Sequence, residues 1–340
     1  MTIARICWNE AEPGETWALA FDAEDRPVRQ YWDRWSDTSA PLGAIMPARL
    51  TEIAPQQGGV FLELESGEPV FLSTRTAPKE AEGHRLMVRV VSEARSEKKA
   101  RVVKAQGEGP TTAFHAWLMS LPNAADIPLE PKCAPTLWQD VLSTAEGQSV
   151  ALEQGGYLRI VPTPALVSVD VDRAGRSDKG RAAARARAIN LDAARTLARE
   201  AALRDLGGAL VLDCLAPISR EAGAEIKKAF LDTFRQLSTR RAECLAPSPF
   251  GLMEIALAWG ARPLHEKLGT PEALFLSALR DLLREANASP MATLTLALPA
   301  AAYQVAKSVN GRYDRALSDR YGARLSLAMS DRNQAEIIRS

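Results

Sequence analysis

The 340-residue sequence predicts a multidomain protein of mixed α+β and α/β class, and three observations carry that prediction. From Ile3 to about Val103, short near-alternating apolar runs are cut by Gly-containing turns. From Gly156 to Leu215 the order is strand, strand, helix, strand, with aspartates at strand ends. After the Gly260-Ala-Arg-Pro263 break, helices and strands alternate again in a smaller block. The reading is therefore an OB-type β-barrel near the N-terminus, then an α/β domain, then a small C-terminal α/β domain.

The first region contains Thr16-Trp-Ala-Leu-Ala-Phe21, Gly59-Val-Phe-Leu-Glu-Leu64, Pro69-Val-Phe-Leu72 and Arg85-Leu-Met-Val-Arg-Val-Val91, separated by Gly58-Gly59, Ser66-Gly67 and Glu82-Gly83. That spacing is the pattern of a small antiparallel barrel. Residues 1–40 read as N-terminal strands and 41–104 as the barrel. Residues 105–154, rich in proline, read as a connecting segment with one helix near Thr136 to Thr144.

Residues 155–262 hold the α/β domain. Gly156-Tyr-Leu-Arg-Ile-Val161 and Ala165-Leu-Val-Ser-Val-Asp-Val171 are strands, Asn190 is read as a helix N-cap with Asp192 in its first turn, and Gly207-Gly208 ends that helix. Ala209-Leu-Val-Leu-Asp-Cys-Leu215 is so uniformly apolar that it predicts a strand covered on both faces. A helix follows from about Glu221 to Leu237. Residues 263–340 supply helices near 271–286 and from 300, with strands at 293–298 and 323–328.

Lys plus Arg and Asp plus Glu both number 42, which excludes a uniformly basic nucleic-acid coat but leaves room for a local basic face. The nearest such face is Arg173 to Arg204, with nine basic and three acidic residues; a solvated helix face would read the same way. No apolar run is long enough for a membrane span and the first residues lack a signal pattern, so a cytoplasmic protein without membrane contact is expected. The four cysteines are widely spaced, with no CxxC pair, so neither a disulfide framework nor a zinc site is expected. With three isolated histidines, any metal chemistry falls to carboxylates.

The candidates are Asp170, Asp172 and Asp213. A carboxylate at the end of an apolar strand is costly unless paired or holding a cation, and ligand sites of α/β sheets collect at that edge. Asp170 and Asp172 share a face, so three carboxylates could converge on Mg²⁺, with Mn²⁺ as a substitute. The alternative is that each caps a turn or pairs with an arginine such as Arg173 or Arg204. In the barrel, Phe61 and Phe71 could stack bases beside Lys98 and Lys99, or be core phenylalanines.

Four motifs, Thr163-Pro-Ala-Leu-Val-Ser-Val-Asp-Val-Asp172, Asn190-Leu-Asp-Ala-Ala194, Leu203-Arg-Asp-Leu-Gly-Gly-Ala-Leu-Val-Leu-Asp213 and Pro249-Phe-Gly-Leu-Met-Glu254, together resemble the catalytic region of the ribonuclease E/G family. The resemblance implies a Mg²⁺-dependent endoribonuclease cutting single-stranded RNA, on a DNase I-like/RNase H-like catalytic domain. It places the metal on Asp170 and Asp213. Asp172 stands where the family usually has Asn. Phe61, Phe71 and Lys98 fall on RNA-binding positions of the family's inserted barrel, and Arg173 and Arg176 could position the RNA backbone.

Two departures from the family pattern stand out. No CPxC zinc-link follows Gly260, so zinc is not expected and neither is a zinc-linked tetramer, a homodimer remaining open. Residues 105–154 are too short for the 5′-end-sensing subdomain, so recognition of a 5′-monophosphate is expected to be lost. A non-cleaving RNA-binding adaptor on the same scaffold is the competing expectation.

Overall fold

The computed structural model describes residues 2–9, 13–37, 39–74, 81–96, 98–107, 109, 112–176 and 180–339. The chain divides into two compact units. One comprises Met1–Cys7, Leu19–Gln30 and Ser39–His265, the other Trp8–Ala18, Tyr31–Thr38 and Glu266–Ser340.

The chain opens with β1 (Ile3–Asn9), β2 (Glu15–Asp22) and β3 (Pro27–Arg34). Then β4 (Ile45–Ala54), β5 (Gly59–Leu64), β6 (Pro69–Ser73), β7 (Arg85–Ser92) and β8 (Ala100–Lys104) close a barrel in the order β4-β5-β6-β8-β7. Closure comes from β7 pairing back on β4, while β6 and β8 run parallel. Period-two alternation turns Val60, Leu62, Leu64, Val70, Leu72, Val88 and Val102 inward. The small barrel expected from the alternating runs is thus present, closed and five-stranded, with one parallel pair in place of a wholly antiparallel order; the run Thr16–Phe21 lies outside it, in β2.

The proline-rich segment holds more structure than its composition suggested: α1 (Ala113–Met119), β9 (Leu129–Pro131), α2 (Pro135–Glu146) and β10 (Ser149–Ala151). Strand β9 lies beside β1, where Ile6 N–H donates to Pro128 O at 2.9 Å. This contact brings Cys7 and Cys133 together in a disulfide with Cα atoms 5.3 Å apart. The cysteine spacing had predicted no disulfide; a pair 126 residues apart is made by strand pairing and leaves no mark on the local sequence.

The α/β domain is built on a sheet in the order β10-β11-β12-β13-β15-β14 among the described residues, from β11 (Tyr157–Pro162), β12 (Val167–Asp172), β13 (Gly208–Asp213), β14 (Ala242–Cys244) and β15 (Leu252–Leu257). Only β12 and β13 pair in parallel there; the crossover between them is α3 (Ala182–Leu203). Helices α3 and α4 (Arg220–Leu237) cover one face. Val169, Leu210, Leu212 and Ile255 meet Ala194, Leu197, Ala198, Ile226, Phe230 and Phe234 in one core.

Two expectations are corrected here. Helix α3 starts at Ala182, eight residues before the expected cap, because Arg181 to Ala188 is made of Ala and Arg, strong helix formers. Asn190 is therefore an interior, buried residue. Strand β13 is covered on one face only: Leu210 and Leu212 are buried, whereas Ala209 and Asp213 are exposed. The open face carries Ala209, half-buried Val211 and Asp213, so only one large apolar side chain points that way.

The remaining chain forms α5 (Leu264–Leu268), α6 (Pro271–Ala288), β16 (Leu294–Pro299), α7 (Ala300–Ser308), α8 (Arg312–Tyr321), β17 (Leu325–Ser330) and β18 (Glu336–Arg339). The sheet is β17-β16-β18, with β16 and β17 parallel. The expected helices and strands of this block are found; β18 and the break at Asn310-Gly311 were not foreseen. No helix among the described residues is long and apolar enough to cross a membrane.

Candidate functional site

Strand β12 alternates strictly, with Val167, Val169 and Val171 buried and Ser168, Asp170 and Asp172 exposed on the open face. Its parallel register with β13 pairs Ser168 with Val211 and Val169 with Leu212. Asp170 and Asp213 follow as the next step on neighbouring strands. Across the sheet, Asp170 pairs with Arg159 and Asp213 with Leu252, and Asp172 pairs with Tyr157. Two carboxylates thus stand side by side at the carboxyl ends of the two parallel strands, where α/β sheets hold ligands.

The three-carboxylate convergence expected from sequence is not formed: among the described residues, no group of three His, Cys, Asp or Glu side chains is placed to hold a metal. Asp172 is drawn elsewhere, accepting the Ala174 N–H at 2.8 Å and so closing the turn after β12. A pair of exposed carboxylates still fits Mg²⁺ by donor chemistry, since that ion takes one or two carboxylates and keeps several waters. Arg204 does not pair with the site either; it binds Glu200 at 2.7 Å.

The end of β13 is held from α3. Asn190, 1% exposed, donates from Nδ2 to Leu215 O and accepts the Leu215 N–H at Oδ1, both at 2.9 Å. One side chain satisfies both backbone groups of a residue two positions past Asp213. The sequence reading missed this role; the signal available was a polar residue inside the Ala-rich stripe of a buried helix. Beside Asp213, burial first and the adjacent carboxylate second push the Cys214 thiol up to about 12. It is a neutral packing group rather than a nucleophile.

Arg176, expected at the RNA backbone, is instead spent inside the protein: its side chain is 1% exposed and pairs with Asp192 at 2.8 Å. Asp192 is a buried mid-helix partner and not a first-turn carboxylate. Arg187, Arg199 and Arg204 are likewise engaged, with Glu225, Glu153 and Glu200. Three of the expected bases, Arg176, Arg199 and Arg204, thus have buried side chains, while the Arg187–Glu225 pair stays at the surface; Asp178 and Lys179 of that stretch lie outside the described residues. Arg173 is exposed and, with Arg185, lines a cavity of about 650 Å³ between the end of β12, the start of α3 and Leu215-Ala216.

On the barrel, Phe61 and Phe71 are cross-strand partners on the outer surface, half-buried, with ring centroids 5.3 Å apart. They are not core phenylalanines. Lys99 Nζ lies 5.5 Å from the Phe61 ring, and Arg101 pairs with Phe71 across the β6–β8 contact. Lys98 is exposed in the β7–β8 turn. Lys99 and Arg101 thus flank the aromatic pair, one over the Phe61 ring and one beside Phe71. Gly59 admits the Phe71 ring: a Cβ there would stand 2.4 Å from it.

The fold and the carboxylate edge define the class as a mixed α and β protein with two aspartates at the ends of adjacent parallel strands and a small closed barrel earlier in the chain. Residues 130–258 match the family model of the ribonuclease E/G family. Over this segment, somewhat more than a third of the chain, the sequence is similar to that family. Ribonuclease E of Haemophilus influenzae is 30% identical over 158 residues, 43% of this chain and 17% of that enzyme. Ribonuclease E of Escherichia coli K12 is 32% identical over 117 residues, 34% and 11% respectively. The chloroplastic ribonuclease E/G-like protein of Arabidopsis thaliana is 48% identical over 67 residues, 19% and 7%. The matched sequence thus spans less than a fifth of each of these relatives.

Proposed function

We propose that this chain is a Mg²⁺-dependent endoribonuclease acting on single-stranded RNA, with the α/β domain in the DNase I-like/RNase H-like role and the barrel in the OB-type RNA-binding role. The observation that carries the reading is the register of β12 on β13, which puts Asp170 and Asp213 one step past the Val169–Leu212 pair on adjacent strands, inside the segment that matches the family. Asp170 and Asp213 would hold the ion, with Mn²⁺ as a substitute. When bound, such an ion supplies charge stabilisation at a phosphodiester and a more acidic water.

The chain's own groups do the rest. Asn190 fixes the backbone just past Asp213, so the carboxylate keeps its place when the ion is absent. Arg173 and Arg185 offer guanidinium forks to backbone phosphates at the neighbouring cavity. Phe61 and Phe71, with Lys99 and Lys98, offer stacking faces and charge to flanking bases. A second reading, an RNA-binding adaptor without cleavage, is favoured by Asp172, whose acceptor-only carboxylate cannot donate the hydrogen bond an Asn would.

The test is cleavage of a labelled single-stranded RNA in Mg²⁺ by wild type and by the Asp170→Asn, Asp213→Asn double variant, with melting curves to show both are folded. Wild-type cleavage lost in the variant is the expected outcome. Equal rates would sink the assignment, and RNA binding by wild type without any cleavage would select the adaptor. The same assay on 5′-phosphorylated and 5′-hydroxylated RNA should give equal rates.

A further inference from the structure

Phe250 is 90% exposed, yet its backbone is fixed from several directions. It occupies the third position of the turn Ser248-Pro249-Phe250-Gly251, where Gly251 N–H donates to Ser248 O at 2.9 Å and Phe250 N–H to Ser248 Oγ at 3.3 Å. Pro249 at the second position locks φ there. Ser248 N–H donates to Leu252 O at 2.9 Å, closing the hairpin below, and Cys214 N–H donates to Gly251 O at 3.0 Å. That last bond ties the turn to the residue immediately after Asp213.

The approach is close enough to exclude a side chain at the turn's fourth position. Gly251 is buried with φ +86°, and a Cβ on it would stand 2.9 Å from Cys214 O and 3.8 Å from Asp213 Oδ1. A single exposed apolar side chain is ordinary on a protein surface, so exposure is not the argument. The argument is a large planar ring, presented on a preorganised turn next to one carboxylate of the paired edge. Turn positions normally carry small or polar residues. Stacking on a base needs a fixed aromatic face close to where the backbone phosphate is held, and it tolerates any base.

We propose that Phe250 is a nucleobase platform, stacking on the base of the nucleotide that adjoins the phosphate at Asp170 and Asp213. This rests on the endoribonuclease reading of that edge. It adds a subsite on the α/β domain itself, separate from the barrel aromatics. The base is held by ring overlap, without readout of its hydrogen-bonding edge, so the platform fixes register along the strand and not sequence.

The test uses binding, so that it stands apart from cleavage. The 340-residue chain carrying Asp170→Asn and Asp213→Asn is titrated with single-stranded oligoribonucleotides bearing one 2-aminopurine at successive positions. One position should be quenched on binding; Phe250→Ala should abolish that quench and weaken binding roughly five- to a hundredfold. Phe250→Trp should restore both, and Leu245→Ala, an exposed apolar residue of the same hairpin, should change neither.

An unchanged quench pattern in Phe250→Ala overturns the proposal, as does loss of self-association in that variant with RNA binding intact, which would assign the ring to a protein contact. Wild type that binds and quenches but never cleaves would refute the enzyme reading and leave the platform standing. Absence of any RNA binding would refute both.

Discussion

Cys214 sits between the catalytic candidate Asp213 and the Asn190 bracket, and its ionisation is the clearest electrostatic signature of that packing. Burial first, then Asp213, raises its thiol from 9.0 to about 12, and burial raises Cys244 from 9.0 to about 11. Unfolded, both thiols lose their protons near pH 9; folded, they keep them, so the unfolded state binds fewer protons and stability must fall as pH rises from about 9 towards 11. Each thiol contributes about 1.4 kcal/mol per pH unit to that slope. Urea unfolding at pH 8, 9 and 10 should show the decline, and Cys214→Ala should make it shallower by about one thiol's share. A slope identical in wild type and variant would mean the thiol is accessible in the folded protein. Folded protein should also resist iodoacetamide at pH 8, when thiolate is scarce at both sites.

At the scale of elements, what the sequence made legible follows from periodicity, and what it hid follows from contacts between distant segments. The barrel strands and the buried stripe of α4 were readable because a period of 2 or 3.6 is a local property. The start of α3 was misread because Asn190 looked like a cap, when its side chain is committed across 25 residues to Leu215. The same kind of long-range commitment removed Arg176 from the surface through Asp192 and left Arg185, unmarked by any motif, on the cavity wall. The paired carboxylates were legible as strand ends; that Asp172 would leave them for the Ala174 N–H was not, since a turn closes on backbone geometry. Asn190→Ala tests the bracket directly. Helix propensity alone favours Ala in an interior position by under about 1 kcal/mol, whereas orphaning the partly buried Leu215 N–H and C=O costs somewhat more, towards the low end of about 1–3 kcal/mol for each. The variant should therefore be less stable, and its cleavage should need several-fold more Mg²⁺ for half-maximal rate. A more stable variant with an unchanged Mg²⁺ midpoint would show that the bracket positions nothing.

For the molecule as a whole, the zero net charge conceals how much of the local basicity is absorbed by internal ion pairs, so an RNA track would rely on a few exposed groups, among them Arg173, Arg185 and Lys99. The other long-range constraint is covalent. The disulfide joins β1 to the segment after β9 and closes a loop across the whole barrel, Cys7 and Cys133 being 126 positions apart. A chain-entropy estimate for a loop that long is about 5 kcal/mol, and native disulfides deliver about 2–5 kcal/mol. That is a large share of the stability of an ordinary domain, about 5–15 kcal/mol. Oxidised protein should therefore unfold at distinctly higher urea than protein held in dithiothreitol or carrying Cys7→Ser and Cys133→Ser. Alkylation and intact mass should show two modified cysteines in denatured, unreduced protein and four after reduction. The expectation of a cytoplasmic chain sharpens the experiment, because a reducing compartment keeps such thiols apart. Protein trapped by acid and alkylated directly from cells would carry four modified cysteines there, and two in an oxidising compartment. Coincident unfolding curves for the oxidised and reduced forms would show that strand pairing between β1 and β9 holds this end of the fold without the bond.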